Sequence, residues 1–244
     1  MANGETREHI RASLYSLKEE VANSVTHGLG AVASIVGLAV LVGFAAVNGD
    51  AQDVTAVSIF GASMILLYTS STLYHSVPHD GARAVFKVMD HASIYLLIAG
   101  TYTPYTLISL RGEQGWELFA IIWTLAAVGV VFKLFFTGKF DKLSTVIYLA
   151  MGWLVVFYGK SVMEAVPAGG MWLLLAGGLS YTVGVVFYVW DKLPFNHAIW
   201  HVFVLGGTVC HYLSILLYVV PDSPAQPLVD PAVIKEAIQT IKPN

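Results

Sequence analysis

Seven long apolar runs, separated by short polar connections, are the feature that most constrains the fold of this 244-residue chain. The runs lie at 24–47, 54–76, 91–110, 116–136, 143–163, 170–190 and 197–220. A helix needs about 20 apolar residues to cross a bilayer. Only 12% of the residues are charged, about half of the roughly 25% typical of soluble domains. The sequence therefore predicts an all-α membrane protein built as a bundle of seven transmembrane helices.

The polar ends of the chain flank this apolar body. Residues 1–22 are charged, and Leu14, Leu17 and Val21 recur at helical spacing, which predicts a cytoplasmic segment with a short interfacial helix. Residues 23–220 form the predicted transmembrane domain. Residues 221–244 form a tail that is predicted to lie outside.

The distribution of positive charge predicts the orientation of the bundle, because cytoplasmic loops are enriched in Lys and Arg. With a cytoplasmic N-terminus, the inner side holds Arg7, Arg11, Lys18, Arg83, Lys87, Lys133, Lys139, Lys142 and Lys192. The outer side holds Arg111, Lys160, Lys235 and Lys242. An odd number of spans then places the C-terminus outside.

Composition also excludes several classes of function. The net charge is −3 and no basic block occurs, so the sequence does not predict a nucleic-acid partner. The single cysteine, Cys210, excludes an intrachain disulfide framework and a cysteine-type zinc site. The expected partner is membrane lipid.

Four ionisable residues within the spans converge on one depth. Polar groups inside a span are costly and are therefore candidates for function. His75 ends the second span, Asp90 precedes the third, and His197 and His201 open the seventh. With the orientation above, all four are expected near the cytoplasmic face.

Their spacing suggests a metal site. His197 and His201 are four residues apart, so both imidazoles project from one helical face. Together with His75, they form a set of three neutral imidazoles, which is common at catalytic zinc sites with an open fourth position. Asp90 is then an orienter or general base, and Ser71 lies on the face of His75. The alternative is that these histidines anchor the helices or form hydrogen bonds between them.

A second polar group precedes or opens the first span. Glu20, Asn23 and His27 share one helical face at the same end of the predicted bundle. They are interpreted either as supporting residues around the metal site or as an ordinary polar helix start. His211 lies ten residues beyond His201, about 15 Å along a helix, and is predicted to form an interhelical hydrogen bond instead of binding the same ion.

Taken together, these motifs resemble those of the hemolysin III proteins, the bacterial branch of the progestin and adipoQ receptor family. The resemblance covers roughly residues 17–220. It rests on Glu20-x-x-Asn23-x-x-Thr26-His27, Ser71-x-x-x-His75, Asp90 with the following segment 94–104, and His197-x-x-x-His201.

The resemblance implies a zinc ion held by His75, His197 and His201, with Asp90 and Ser71 close by. It also implies a multi-pass protein of the bacterial inner membrane, with a role in membrane homeostasis. Some eukaryotic relatives resemble ceramidases.

Three functions follow as hypotheses. The first is a zinc-dependent hydrolase of lipid amide or ester bonds, in which Asp90 takes a proton from water and Ser71 donates a hydrogen bond to the developing oxyanion. The second is a non-enzymatic sensor in which zinc is structural. The third is a pore or hemolysin, which would require a polar stripe through the whole bilayer, whereas the outer halves of the spans carry few ionisable residues.

Overall fold

The computed structural model describes residues 2–229, 232, 233 and 238, with side chains from residue 16 onward. Within this part of the chain the protein is helical and contains no strand. The helices are α1 Ala2–Asn48, α2 Ala51–Ser76, α3 Asp80–Pro104, α4 Glu113–Phe136, α5 Asp141–Gly152, α6 Gly159–Ala165, α7 Ala168–Tyr188 and α8 Asn196–Ser214. Two π-helical turns, Tyr105–Ser109 and Ile215–Val219, extend α3 and α8, and a 3₁₀ segment, Trp153–Tyr158, joins α5 to α6.

Among the residues that the structure describes, six helical segments are long and apolar enough to cross a membrane. They are Ser16–Asn48, Ala51–Ser76, Glu113–Phe136, Asp141–Ala165, Ala168–Tyr188 and Asn196–Val219. The third predicted span coincides with α3 and its π-helical turn, which is rich in buried polar residues and is not among the six. The predicted all-helical membrane bundle is confirmed, and the count of seven spans stays a prediction.

The described part of the N-terminal segment is continuous with the first span, since helix α1 runs without interruption from Ala2 to Asn48. The interfacial position of residues 1–22 stays a prediction. Pro104 is the last residue of α3, and a π-helical turn begins at the next residue, Tyr105. Proline and π-helical turns are both common causes of helix kinks.

The helices pack in a ring that surrounds a space lined by α3, α5, α7 and α8. Along one side α4, α3, α2 and α1 are successive neighbours, followed by α8 and α7, and α5 contacts both α3 and α7. Small residues permit close approach between neighbours, as membrane helices require. A Cβ atom at Gly129 of α4 would collide with the ring of Tyr95 in α3.

One end of the bundle, here called the histidine end, is formed by the C-terminus of α2 and the N-termini of α3 and α8. Phe195, the residue before α8, has an unusual left-handed backbone conformation with a φ of 56°. Its backbone N–H donates a hydrogen bond to Glu19 Oε1 at 2.9 Å. This bond to α1 sets the position of the residues that follow in α8.

The opposite end carries an ionic cluster. Arg111 donates hydrogen bonds to Asp50 at 2.8 and 2.9 Å and to the fully buried Asp53 at 3.0 Å. The hydrogen bonds from Arg111 hold the pKa of the Asp50 carboxyl below its ordinary value. Tail residues 221–229 lie against this end, where Leu228 N–H donates to Gly49 O at 2.8 Å.

Candidate metal centre

Three histidines from two helices meet at the histidine end. His75 lies in the last turn of α2, and His197 and His201 lie in the first turns of α8. Their potential ligand nitrogens all lie within 4.8 Å of one another. The ring centroid of His75 lies 5.0 Å from that of His197 and 5.3 Å from that of His201. The structure therefore brings together the three residues that the sequence predicted as metal ligands.

The hydrogen bonds of His75 leave one of its nitrogens available. Its Nδ1 lies 2.6 Å from Glu20 Oε2, and Arg83 forms an ion pair with the other carboxylate oxygen. Because a carboxylate only accepts hydrogen bonds, the His75 proton lies on Nδ1 and Nε2 carries a lone pair. That Nε2 atom is buried and has no hydrogen-bond partner.

The other two histidines each show one part of this pattern. His201 Nδ1 lies 3.3 Å from the backbone oxygen of Asn23 and 3.2 Å from Thr26 Oγ1. The Thr26 hydroxyl donates to Ala22 O at 2.8 Å, so it accepts from His201. His197 Nε2, like His75 Nε2, is buried without a partner. Metal-bound histidines generally donate their second N–H to a carboxylate or carbonyl, so the buried lone pairs fit a metal ion.

Helix α1 contributes the polar face that the sequence predicted. Glu20 orients His75, and Asn23 lies beside both His75 and His201. His27 stacks on His201 with ring centroids 3.5 Å apart and an interplanar angle of 11°. These contacts place Glu20, Asn23 and His27 directly around the histidine cluster.

Asp90 and Ser71 form a second group beside the histidines. Asp90 on α3 is only 6% exposed, and the hydroxyl of Ser71 lies near its carboxylate. Ser71 Oγ is also hydrogen-bonded to His27 Nδ1 at 2.7 Å. His27, Ser71 and Asp90 therefore lie next to one another, one on each of α1, α2 and α3.

The histidine cluster lies between a large, mainly apolar cavity and a smaller, more polar pocket. A cavity of about 430 Å³ extends along α3, α5, α7 and α8, and His27, Asp90, His197 and His201 form part of its wall. Most of the remaining lining is apolar. A smaller pocket of about 260 Å³ opens at the surface and is lined by residues that include His75, Lys87, Asp141 and His197. The histidines therefore separate an apolar space from a polar one.

Two supporting residues were not selected from the sequence as site residues. Arg83 holds Glu20, and Thr26 accepts from His201. Thr26 lies within the first-span motif, so its position offered a signal. The signal for Arg83 was its place on the predicted inner side, where Glu20 carries the opposite charge.

Comparison with known proteins identifies the family of the chain. Residues 15–212 match the family described as Haemolysin-III related. The chain is 52% identical over 207 residues to Hemolysin-3 of Bacillus cereus, covering 85% of this chain and 94% of the relative. It is 48% identical to the Hemolysin-3 homolog of Bacillus subtilis (strain 168) over 207 residues, covering 85% and 97%.

A more distant human protein is also similar. The monocyte to macrophage differentiation factor of Homo sapiens is 32% identical over 206 residues, which cover 82% of this chain and 84% of that protein. The family match, over residues 15–212, includes all the site residues described above. The chain is thus a multi-pass protein of the cell membrane and belongs to the haemolysin-III family.

Proposed function

We propose that the protein is a zinc-dependent hydrolase of lipid amide or ester bonds, with the ion held by His75, His197 and His201. The observation that carries the proposal is the position of this cluster beside a buried carboxylate, in the wall of a cavity of about 430 Å³. Imidazole ligands suit zinc among several metals. When bound, zinc would polarise a carbonyl group and make water acidic enough to react near neutral pH.

The topology that accompanies this proposal has seven spans, with α3 and its π-helical turn as the third. The N-terminus is cytoplasmic and the C-terminus is outside, as the Lys and Arg distribution favours. This orientation puts the histidine end at the cytoplasmic side. The smaller pocket then supplies water and receives the polar product, while the larger cavity holds the lipid chain.

Asp90 is proposed as the general base. Its carboxylate accepts a proton from the attacking water, whose oxygen forms a bond to the carbonyl carbon of the lipid. The bond from that carbon to nitrogen or oxygen then breaks, and Asp90 returns the proton to the leaving amine or alcohol. Burial of Asp90 within the cavity wall supports this role, since it brings the carboxylate to the reacting group.

Ser71 is proposed as a residue that positions the general base. Its hydroxyl lies near the Asp90 carboxylate and is hydrogen-bonded to His27 at 2.7 Å. When the hydroxyl accepts from His27 and donates to Asp90, it holds the orientation of the carboxylate. When it turns away from Asp90, it is available to the developing oxyanion.

The test is turnover by purified protein in lipid nanodiscs, using a ceramide as the amide probe and a diacylglycerol as the ester probe. Asp90→Asn keeps the size of the side chain but removes the base. It should retain zinc and lose at least about 100-fold in turnover, the lower range for loss of a general base. Asp191→Asn, at an exposed loop residue, is the matched control. Normal turnover by Asp90→Asn would refute this role.

A sensor with structural zinc is the second candidate. It is favoured by the fact that the three histidines lie on α2 and α8, and that His75 and His201 are hydrogen-bonded to α1, so that an ion would hold three helices together. In that case removal of zinc would lower the melting temperature. Neither lipid would be hydrolysed, whichever residue stood at position 90.

A further inference from the structure

The far end of the large cavity is polar, although the metal site lies at the other end. His211, Tyr105 and Tyr181 contribute to the wall there. His211 lies ten residues beyond His201 in the same helix, a separation of about 15 Å. A lipid chain that begins at the histidines and extends along the cavity would therefore reach these polar groups at its far end.

His211 offers a hydrogen-bond acceptor at this end. Its Nε2 donates to Leu174 O at 3.1 Å, which confirms the predicted interhelical bond. In the neutral ring the proton is then on Nε2, so Nδ1 is an acceptor. Nδ1 is buried and has no partner. A Cβ atom at Gly177 would collide with Cδ2 and Nε2 of His211, so that edge packs against α7 and the Nδ1 edge faces away from it.

Tyr105 offers the complementary donor. It is the first residue of the π-helical turn after α3, and its buried hydroxyl has no hydrogen-bond partner of normal geometry. The nearby Ser214 hydroxyl donates to Gly170 O at 2.9 Å, and its oxygen does not lie in hydrogen-bond geometry with the Tyr105 hydroxyl. Residues in π-helical turns are frequently part of functional sites.

The neighbouring tyrosines of the wall differ in being satisfied within the protein. The Tyr181 hydroxyl is 2.8 Å from Thr208 Oγ1, and the Tyr102 hydroxyl donates to Met151 O at 2.9 Å. Buried polar groups without partners are uncommon and costly. The Tyr105 hydroxyl is a donor without a partner and His211 Nδ1 is an acceptor without a partner, and both lie near Tyr181. Together they indicate a bound group that accepts one hydrogen bond and donates another.

We infer that Tyr105 and His211 bind the hydroxyl group of a lipid whose chain is hydroxylated away from its head group. The lipid oxygen accepts from Tyr105, and the lipid hydrogen is donated to His211 Nδ1. A neutral group is required because the charged residues of the cavity wall, Asp90, Lys133 and Asp141, belong to its other end. The inference rests on the proposed function in one respect, namely that the cavity holds a lipid chain.

The experiment measures binding, not hydrolysis. Full-length protein in phosphatidylcholine nanodiscs is titrated with octadecanoic acid and with positional isomers of hydroxyoctadecanoic acid, each competing against radiolabelled octadecanoic acid. One isomer with its hydroxyl well along the chain should bind about tenfold more tightly than octadecanoic acid, since each new hydrogen bond contributes severalfold.

Tyr105→Phe removes only the donor, so the preference should fall to about threefold or less, while affinity for octadecanoic acid is kept. Tyr212→Phe is the matched control, because its hydroxyl donates to Gly37 O at 3.1 Å outside the cavity. This variant should keep the full preference. Melting curves of both variants verify that they are folded.

Three outcomes would overturn the inference. Equal binding of every isomer and of octadecanoic acid would show that a buried water satisfies Tyr105 and His211. A preference that survives Tyr105→Phe would place the hydroxyl elsewhere. Failure to bind any fatty acid would refute the lipid cavity itself. By contrast, a selective cavity in a protein that hydrolyses neither lipid would refute the hydrolase and leave this subsite standing.

Discussion

Replacement of Glu20 by alanine should weaken zinc binding even though Glu20 is not a proposed ligand. Glu20 accepts the Nδ1 hydrogen of His75 at 2.6 Å and is held by Arg83. Loss of the carboxylate removes the bond that fixes the ring and directs Nε2 toward the cluster. Loss of such a supporting partner typically reduces metal affinity 10- to 100-fold, or about 1.4 to 2.7 kcal/mol.

The structure places the single variant at the lower end of this range. Asn23 Nδ2 lies 3.4 Å from His75 Nδ1, and Asn23 Oδ1 is buried without a partner. If the amide rotates, Oδ1 can accept from His75 in place of Glu20. We therefore expect about a tenfold loss for Glu20→Ala and about a 100-fold loss for Glu20→Ala combined with Asn23→Leu.

The assay is competition for zinc against a chelator of known affinity, using detergent-purified protein. Glu164→Ala is the matched control, since Glu164 is an exposed carboxylate whose contact with Lys160 is 3.9 Å long. It should bind zinc as the wild type does. Wild-type affinity in the double variant would refute the argument that the Nδ1 hydrogen bond orients His75.

Two further predictions concern stability. Because Arg111 lowers the pKa of Asp50, the stability contributed by this carboxylate is present above the ordinary aspartate value of about 4 and is lost as the pH falls through the lowered value. Thermal melting from about pH 5 downward should therefore show a smaller acid-dependent loss for Asp50→Asn than for the wild type, and identical curves would contradict this. Gly129→Ala should cost about 1 to 3 kcal/mol, seen as a lower melting temperature, because its Cβ would collide with the buried ring of Tyr95. Gly43→Ala, which meets no heavy atom within 4 Å, should melt like the wild type, and equal melting of the two variants would contradict the packing argument.

The position of the histidine cluster was predictable because depth in a membrane can be inferred from the sequence. The ends of apolar runs placed His75, His197 and His201 at one level, and the spacing of four fixed the shared face of the last two. Spacings of three and four likewise placed Glu20, Asn23 and His27 on one helical face. The structure brings all six residues to one end of the bundle.

What could not be predicted depends on how the helices rotate and pack against one another. The group formed by His27, Ser71 and Asp90 brings together side chains of three helices, and no pattern within a single helix indicates such a contact. The pairing of Arg83 with Glu20 and the bare Nδ1 of His211 likewise follow from packing. Helix α3 marks another limit, because the polar residues that build the site also lower the hydropathy from which a span is inferred.

The most direct test of the account is elemental analysis of detergent-purified protein beside the variant His197→Ala/His201→Ala. The account predicts about one zinc per chain in the wild type, as expected of a single three-histidine site, and its loss in the variant. Absence of bound metal in the wild type, with no uptake when zinc is added, would contradict the metal site. The histidines would then act as a hydrogen-bonded clamp between α1, α2 and α8.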